Sequence, residues 1–421
     1  MLDINLIRND RKSVINLLSR RGADFSAEIE EIANLDSGWR RVLSESEELK
    51  RLRNEVSDEI GLLKREGGDA SEKISSMKEI SLRIKELDSE AKEFKEKSDA
   101  LLLGVPNIPA EGLGYDNSVI RDSGPVPEPG FEYLPHWELG EMLGILDFEK
   151  AALLSGSRFP LLKGDGCRLE RALASFMLDL HTEKHGYTEI IPPFLVREEV
   201  MTGTGQLPKF REDMYGTEDD GLFLIPTAEV PLTNMHRGGI IDPDDLPLKY
   251  TALTPCFRRE AGSYGKDTRG LIRNHQFSKV ELVNITSPED SENSHLTLLR
   301  ESEEVLKLLG LPYRVLLLGS SDMGFSASKT YDLEVWMPGE GLWREVSSCS
   351  NCGDFQARRM ETRTRGEDST TVYAHTLNSS GLAVGRIFAA LLENFQTQEA
   401  GIRIPEVLSS YMKGRKLIER P

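Results

Sequence analysis

TPCFRREAGSYGKDTRGLIRNHQFSKVELV, residues 254–283, places an Arg-Arg-Glu triplet before a glycine-punctuated loop and closes on an apolar run broken by one glutamate. Read as a strand, the first half puts Arg258 and Glu260 on one sheet face and Arg259 on the other, because side chains alternate with period two. An arginine held this way offers a bidentate fork to a phosphate or carboxylate, and an acid beside it orients an amine or balances charge. The loop AGSYGKDTRG carries three glycines, Lys266 and Arg269, which suits a flap over an anionic ligand. Arg273 and Phe277 follow as a second cation and a flat aromatic face. In KVELV, Val280 and Leu282 point one way and Glu281 the other, on the side of Phe277 and Lys279. Taken alone, such a triplet is more often a surface ion pair, and such a loop more often an ordinary hairpin turn.

Around this stretch, YTEIIPPFLV (187–196), GLFLIPT (221–227), LKYTALTPCF (248–257), FSKVELVNI (277–285), YRVLLLG (313–319), YDLEVWM (331–337) and LWREVSS (342–348) have the character of strands. LERALASFMLDLHTEKH (169–185) has the period of an amphipathic helix. Several strands follow one another with no long helix between, which predicts an α+β fold on a largely antiparallel sheet. No GxxxxGK(S/T) loop and no strand-linked GxGxxG is present, so a nucleotide site would use other chemistry. Pro106, Pro109, Gly112 and Gly114 mark a linker, which divides the chain into 1–105 and 106–421.

The clearest periodicity lies before that linker. Ile29, Ile32, Leu35, Trp39, Val42, Leu49, Leu52, Val56 and Leu63 recur at mostly three- and four-residue spacing, and Ile74 to Leu101 repeats the pattern. Gly67 and Gly68 end one helix, and Asp69 or Ser71 caps the next. The prediction is an antiparallel hairpin whose arms reach roughly 50 Å at about 1.5 Å per residue. Formal net charge is −18, which excludes nucleic-acid binding through bulk charge. Between Lys50 and Lys85, however, nine basic residues meet seven acidic ones, so that stretch is +2 and the rest −20. Such a hairpin serves equally as a solvated helix pair or as a docking arm for a protein or a nucleic acid.

No apolar run approaches the roughly 18 residues a membrane span needs, and MLDINLIRND lacks the pattern of a secretory signal. The cytoplasm is the expected compartment, with no membrane partner. Four cysteines are too few for a disulfide framework, and the C-x-x-C of Cys349 and Cys352 has no recognisable partners for zinc. Buried thiols are expected.

FRREAGSYGKDTRGLIRNHQFSKVELV closely resembles the second signature motif of the class II aminoacyl-tRNA synthetases, and in detail that of the seryl-tRNA synthetases. LIPTAEVPLTN (224–234) is similar to that family's serine-contacting segment, and WREVSSCSNCGDFQARRM (343–360) to its metal and ATP strand. LNSSGLAVGRIFAALLENFQ (377–396) resembles the third motif, and GYTEIIPPFLVREEVMTGTGQLPKF (186–210) the first, dimer-forming one. The resemblance implies an antiparallel-sheet catalytic domain preceded by a tRNA-binding coiled-coil arm, working as a homodimer. It also implies two reactions. L-serine and ATP give seryl-adenylate and pyrophosphate, and the seryl group then passes to the 3′ end of tRNA(Ser) and, by the same route, tRNA(Sec).

The implied roles follow residue by residue. The catalytic set is Arg258, Glu260 and Arg386: Arg258 would grip the α-phosphate and the serine carboxylate, Glu260 the adenine amino edge, and Arg386 the γ-phosphate. Phe277 would stack under the ring while Asn274 offers its backbone, and Arg259, Arg273, Val346 and Ser347 complete the ATP-binding set. Serine would be held by Thr227, Ala228, Glu229, Arg258, Glu281, Asn378 and Ser380, with Glu281 and Ser380 reading its hydroxyl. Glu345 and Ser348 would bind Mg²⁺ bridging the phosphates. Lys50, Arg51, Arg53, Lys64, Arg65, Lys73 and Lys78 would meet tRNA phosphates. Without the resemblance, Glu345 is a strand acid and Arg386 a helix-start residue with a structural partner.

Two departures stand out. Arg259 occupies a place usually small in the family and should point off the catalytic face, and Ser379 stands where glycine is common, beside the serine pocket. A paralogue that loads a carrier protein would lack the arm, and a non-catalytic coiled-coil protein would have lost Arg258, Glu260, Glu345 or Arg386; all are present. Glu281→Gln is expected to weaken serine activation with little effect on melting temperature.

Overall fold

The computed structural model describes residues 1–126, 130–261, 269–366 and 369–420. Residues 262–268, the centre of the expected flap, lie outside the described residues. The chain divides into two compact units, Met1–Pro106 and Asn107–Pro421.

In the first unit, α1 (Ile4–Ser19) precedes a hairpin of α2 (Ser26–Arg65) and α3 (Ser71–Gly104). At 40 and 34 residues the two arms span about 60 and 50 Å. Gly67, at φ 75°, makes the turn in a left-handed conformation that suits glycine. Asp69 accepts the Ser71 N–H at 2.9 Å, one residue before the formal cap at Ala70. Val42, Leu87 and Ala91 fill the seam with Trp39, Leu49 and Phe94 around them. Asp88 ties the helices by accepting from Ser46 Oγ at 2.7 Å and Lys50 Nζ at 2.8 Å. Arg8 of α1 forks onto Asp36 of α2 at 2.6 and 2.9 Å, which holds that carboxyl below its usual range.

The second unit is built on one eight-stranded sheet. Its strands are β1 (Ser118–Asp122), β2 (Thr188–Glu189), β3 (Leu248–Phe257), β4 (Gln276–Thr286), β5 (Tyr313–Leu317), β6 (Lys329–Met337), β7 (Leu342–Asn351) and β8 (His375–Ala383). They run in the order β1-β5-β6-β7-β8-β4-β3-β2, all antiparallel except the β2–β3 edge. Its helices include α4 (His136–Met142), α5 (Asp165–Asp179), α6 (Ser291–Leu309), α7 (Phe355–Met360) and α8 (Val384–Asn394). α5, α6 and α8 bury Leu173, Leu306 and Phe388 against Val280, Leu282, Leu333 and Leu377 in one core. Alternation then turns Lys279, Glu281, Asn378 and Ser380 to the opposite face, where a site can form.

Two bulges break that alternation. An extra residue, Val346, separates the Leu333–Ser347 pair from Glu334–Glu345, so Glu345 and Ser348 share a face despite their odd spacing. Gly381 does the same between Ser380 and Leu382. The strand expected over 187–196 is reduced to Thr188–Glu189 and Leu195–Arg197, because Pro192 and Pro193 remove the ladder donors between them. GLFLIPT shrinks to Leu222–Leu224.

Candidate active site

The strand carrying the Arg-Arg-Glu triplet ends at Phe257, so simple alternation does not place these side chains. The Arg258 N–H still pairs with the His275 carbonyl at 2.9 Å, but Glu260 takes a left-handed φ of 52°, a conformation costly for a side chain and concentrated at functional sites. Arg258 and Glu260 nonetheless line the same two cavities, one of about 350 Å³ and one of about 70 Å³. Arg259 lines neither and sets its guanidinium 5.5 Å from the Tyr215 ring, so its inclusion in the ATP set is not matched by its position.

The larger cavity receives Thr227, Glu229 and Asn378. Burial, followed by the charge of Glu281, pushes the Glu229 carboxyl up to about 7. Gln356 Nε2 and Asn378 Nδ2 both donate to Glu229 Oε1, at 2.7 and 3.1 Å. Glu281 is 1 % exposed and lies directly opposite Ser380 in the β4–β8 ladder. It is not waiting for a partner: Thr227 Oγ1 donates to it and Lys279 forms a buried ion pair with it. Ala228 is fully buried with Leu232, Ala252 and Val283, which makes its side chain a packing element.

The smaller cavity receives Asn274, Phe277, Lys279, Glu345, Val346, Ser380 and Arg386. Arg258 lies 5.3 Å from the Phe277 ring centroid, and Arg273 Nη1 pairs with Glu260 at 2.7 Å. Arg386, in the first turn of α8, donates to the carbonyls of Ile272 (3.2 Å) and Glu345 (2.7 Å). At the other end of α8, Glu393 accepts from His136 Nδ1 at 2.8 Å, and His136 Nε2 accepts the Leu271 N–H at 3.0 Å. One helix thus fixes Leu271 and Ile272 from both ends. His136 clusters with Glu340 and Glu393, but both its ring nitrogens are committed to this network.

Ser347 and Ser379 turn away from both cavities. Ser379 Oγ meets Ser302 of α6 at 2.9 Å and Ser347 at 3.2 Å, so the residue standing for glycine faces the helices and leaves the serine side untouched. Beside Glu345 and Ser348 the structure adds Asp332, opposite Ser348 on β6. Burial and the nearby Glu345 lift its carboxyl to about 8, and its Oδ1 is buried without a hydrogen-bond partner. Its signal was present in YDLEVWM, where Asp332 and Glu334 interrupt the apolar alternation as Glu281 does in KVELV. Gln356 and Lys279 were likewise missed as site residues. Cys349 and Cys352 are buried free thiols.

An antiparallel sheet that sets an arginine and a glutamate between an acid-walled and an aromatic-walled cavity, with a second arginine opening the helix behind, is the design of a class II aminoacyl-tRNA synthetase. Residues 212–395 match the family model described as tRNA synthetase class II core domain (G, H, P, S and T), and residues 1–109 the seryl-tRNA synthetase N-terminal domain. The serine–tRNA ligase of Desulforudis audaxviator is 56% identical over 100% of both chains, and that of Caldicellulosiruptor bescii is 55% identical over 98% of this chain and 99% of its own. The crystal structure of seryl-tRNA synthetase from Pyrococcus horikoshii complexed with ATP superposes with a TM-score of 0.93 at 41% identity, covering 100% of both chains. The chain belongs to the seryl-tRNA synthetase family.

Proposed function

We infer that this chain is a serine–tRNA ligase that forms seryl-adenylate from L-serine and ATP and transfers the seryl group to the 3′ end of tRNA. The carrying observation is that Arg258 and Glu260 stand where the two cavities meet. An α-phosphate joined to a serine carboxylate would lie at that junction, with Glu229 on the ammonium side and Phe277 under the adenine. Attack of the carboxylate on phosphorus asks little covalent help from the protein, so fixed charge and positioning supply the rate. Arg258 stabilises charge on the α-phosphate, and Arg386 that on the departing pyrophosphate.

Mg²⁺ fits this site. The carboxylate and hydroxyl oxygens of Glu345 and Ser348 are hard donors, and the unpartnered buried Oδ1 of Asp332 adds a further one. The bound ion would neutralise phosphate charge.

Exposed Arg51, Lys64, Arg65 and Lys78 support the arm as a phosphate-binding element, whereas Lys50 and Lys73 are already paired with Asp88 and Glu59. Shape and phosphates, read through such an arm, would serve tRNA(Ser) and tRNA(Sec) alike. Ile191, 83 % exposed, with Phe194 and Leu195, gives the 186–210 segment an apolar face suited to a homodimer contact. Among the described residues no helix is long and apolar enough to cross a membrane, and this reading places the enzyme in the cytoplasm. Charging assays with labelled serine and bulk tRNA test the proposal. Ester-linked serine on tRNA is the expected result, and serine adenylated yet passed only to a carrier protein would contradict it.

A further inference from the structure

Leu271 and Ile272 wall the smaller cavity, and a residue outside both cavities fixes them. The Leu271 N–H can only donate, so His136 Nε2, 3.0 Å away, must accept with its lone pair. The ring proton therefore sits on Nδ1 and is donated to Glu393 Oε1 at 2.8 Å. His136 belongs to neither the serine nor the ATP set above. Resting on the serine–tRNA ligase reading, we propose that His136 is a positioning residue for ATP, which through the Leu271 N–H holds segment 271–274 in the shape that the nucleotide binds.

The imidazole is anchored at its ring and at its backbone. His136 and Glu393 are both fully buried. Glu393 Oε1 also accepts the His136 backbone N–H at 3.0 Å, and its Oε2 the Gly339 N–H at 2.8 Å, so the buried carboxylate is well supplied with donors. Glu340 Oε1, 3.9 Å from Nδ1, adds negative charge on the same side and reinforces that tautomer. Pro135 precedes the first turn of α4, and Gln396, just beyond α8, bonds the Leu134 N–H and carbonyl at 3.1 and 2.9 Å. The chain entering α4 is thereby pinned to the end of α8.

The contact with segment 271–274 is close and specific. Gly270 takes φ 74°, and a Cβ there would stand 2.2 Å from His136 Nε2 and 3.0 Å from the Trp137 ring. Only glycine lets the imidazole reach the next amide. Arg386 and Glu393 lie two turns apart on one face of α8, so Arg386 Nε takes the Ile272 carbonyl at 3.2 Å while Glu393 reaches Leu271 through His136. Downstream, Arg273 bonds Glu260 and Asn274 lines the cavity. These groups face the nucleotide and not the bond being made, so their loss falls on ATP affinity.

Two substitutions in the full chain separate the two ring nitrogens. His136→Asn keeps an amide donor near Nδ1 and removes the acceptor, whereas His136→Gln brings a carbonyl oxygen near the place of Nε2. A buried N–H left without an acceptor is worth about tenfold or more, so the KM for ATP in ATP–pyrophosphate exchange should rise by that factor in His136→Asn. Its kcat and its KM for serine should stay within about threefold of the parent, as should all three constants of His136→Gln. Gly270→Ala, which drives the ring off Leu271 and keeps the histidine, should repeat the rise in ATP KM and takes the place of His136→Asn should that variant not fold. An unchanged ATP KM, an equal rise in the serine KM, a loss confined to kcat, or His136→Gln as impaired as His136→Asn would each overturn the proposal. Exchange that is absent from the unaltered enzyme would instead overturn the serine-ligase reading on which it rests.

Discussion

Glu229 shows how a single carboxyl is prepared for its ligand. Burial and the neighbouring Glu281 lift it to about 7, so an empty pocket at neutral pH holds it only partly ionised, and a substrate ammonium supplies the cation that favours the charged form. Binding requires the ionised state, which is lost as pH falls through 7. The KM for serine should therefore rise about tenfold from pH 8 to pH 6 while kcat changes little, measured by exchange kinetics; a flat KM would mean that Glu229 does not meet the ammonium. Glu281 revises an expectation. Because it is paired with Lys279 inside the sheet, Glu281→Gln strands a buried ammonium, and breaking such a pair costs about 3–5 kcal/mol. Serine exchange should drop at least about tenfold, and the melting temperature should fall as well, read by calorimetry. At this scale the sequence was informative wherever one polar residue interrupts an apolar strand. Partners were only partly legible: Lys279 shares a strand face with Glu281 two residues away, so that pair lay within reach of the alternation, whereas that Gln356 reaches Glu229 depends on which distant segments come together.

At the scale of elements, the alternating strands 248–257 and 331–337 and the long hairpin periodicity could be read directly, since one buried face imposes the pattern. Bulges could not. The extra residue at Val346 is set by pairing with β6, and it brings Glu345, Ser348 and Asp332 to one face. Asp332→Asn should raise the Mg²⁺ concentration for half-maximal exchange severalfold, and an unchanged titration would remove Asp332 from the site. In the arm, charge count alone did not reveal that Lys50 and Lys73 are spoken for. Replacing Arg51, Lys64, Arg65 and Lys78 with glutamine should weaken tRNA binding and flatten its salt dependence by roughly one unit of slope per lost phosphate contact. The same slope in parent and variant would place the tRNA elsewhere.

The whole molecule divides its labour between two units, each with its own apolar seam or core. Ser46 and Asp88 bond across the hairpin, so residues 50–85 can be removed and the helices rejoined near that rung. The shortened chain should keep adenylate formation and lose tRNA charging, because every residue lining the two cavities belongs to the second unit. Amino-acid choice is the central claim of the serine–tRNA ligase reading, which gives the substrate ammonium to Glu229 and, by the family resemblance, the hydroxyl to Glu281 and Ser380. Polar groups built to hydrogen-bond a hydroxyl reject an analogue lacking it by roughly 10⁴ or more, whereas threonine must be excluded by shape. ATP–pyrophosphate exchange measured on the full chain with each amino acid in turn tests this most directly. Serine should drive exchange while alanine stays near background and threonine far below serine; exchange driven equally by alanine, or by any other amino acid in place of serine, would contradict it.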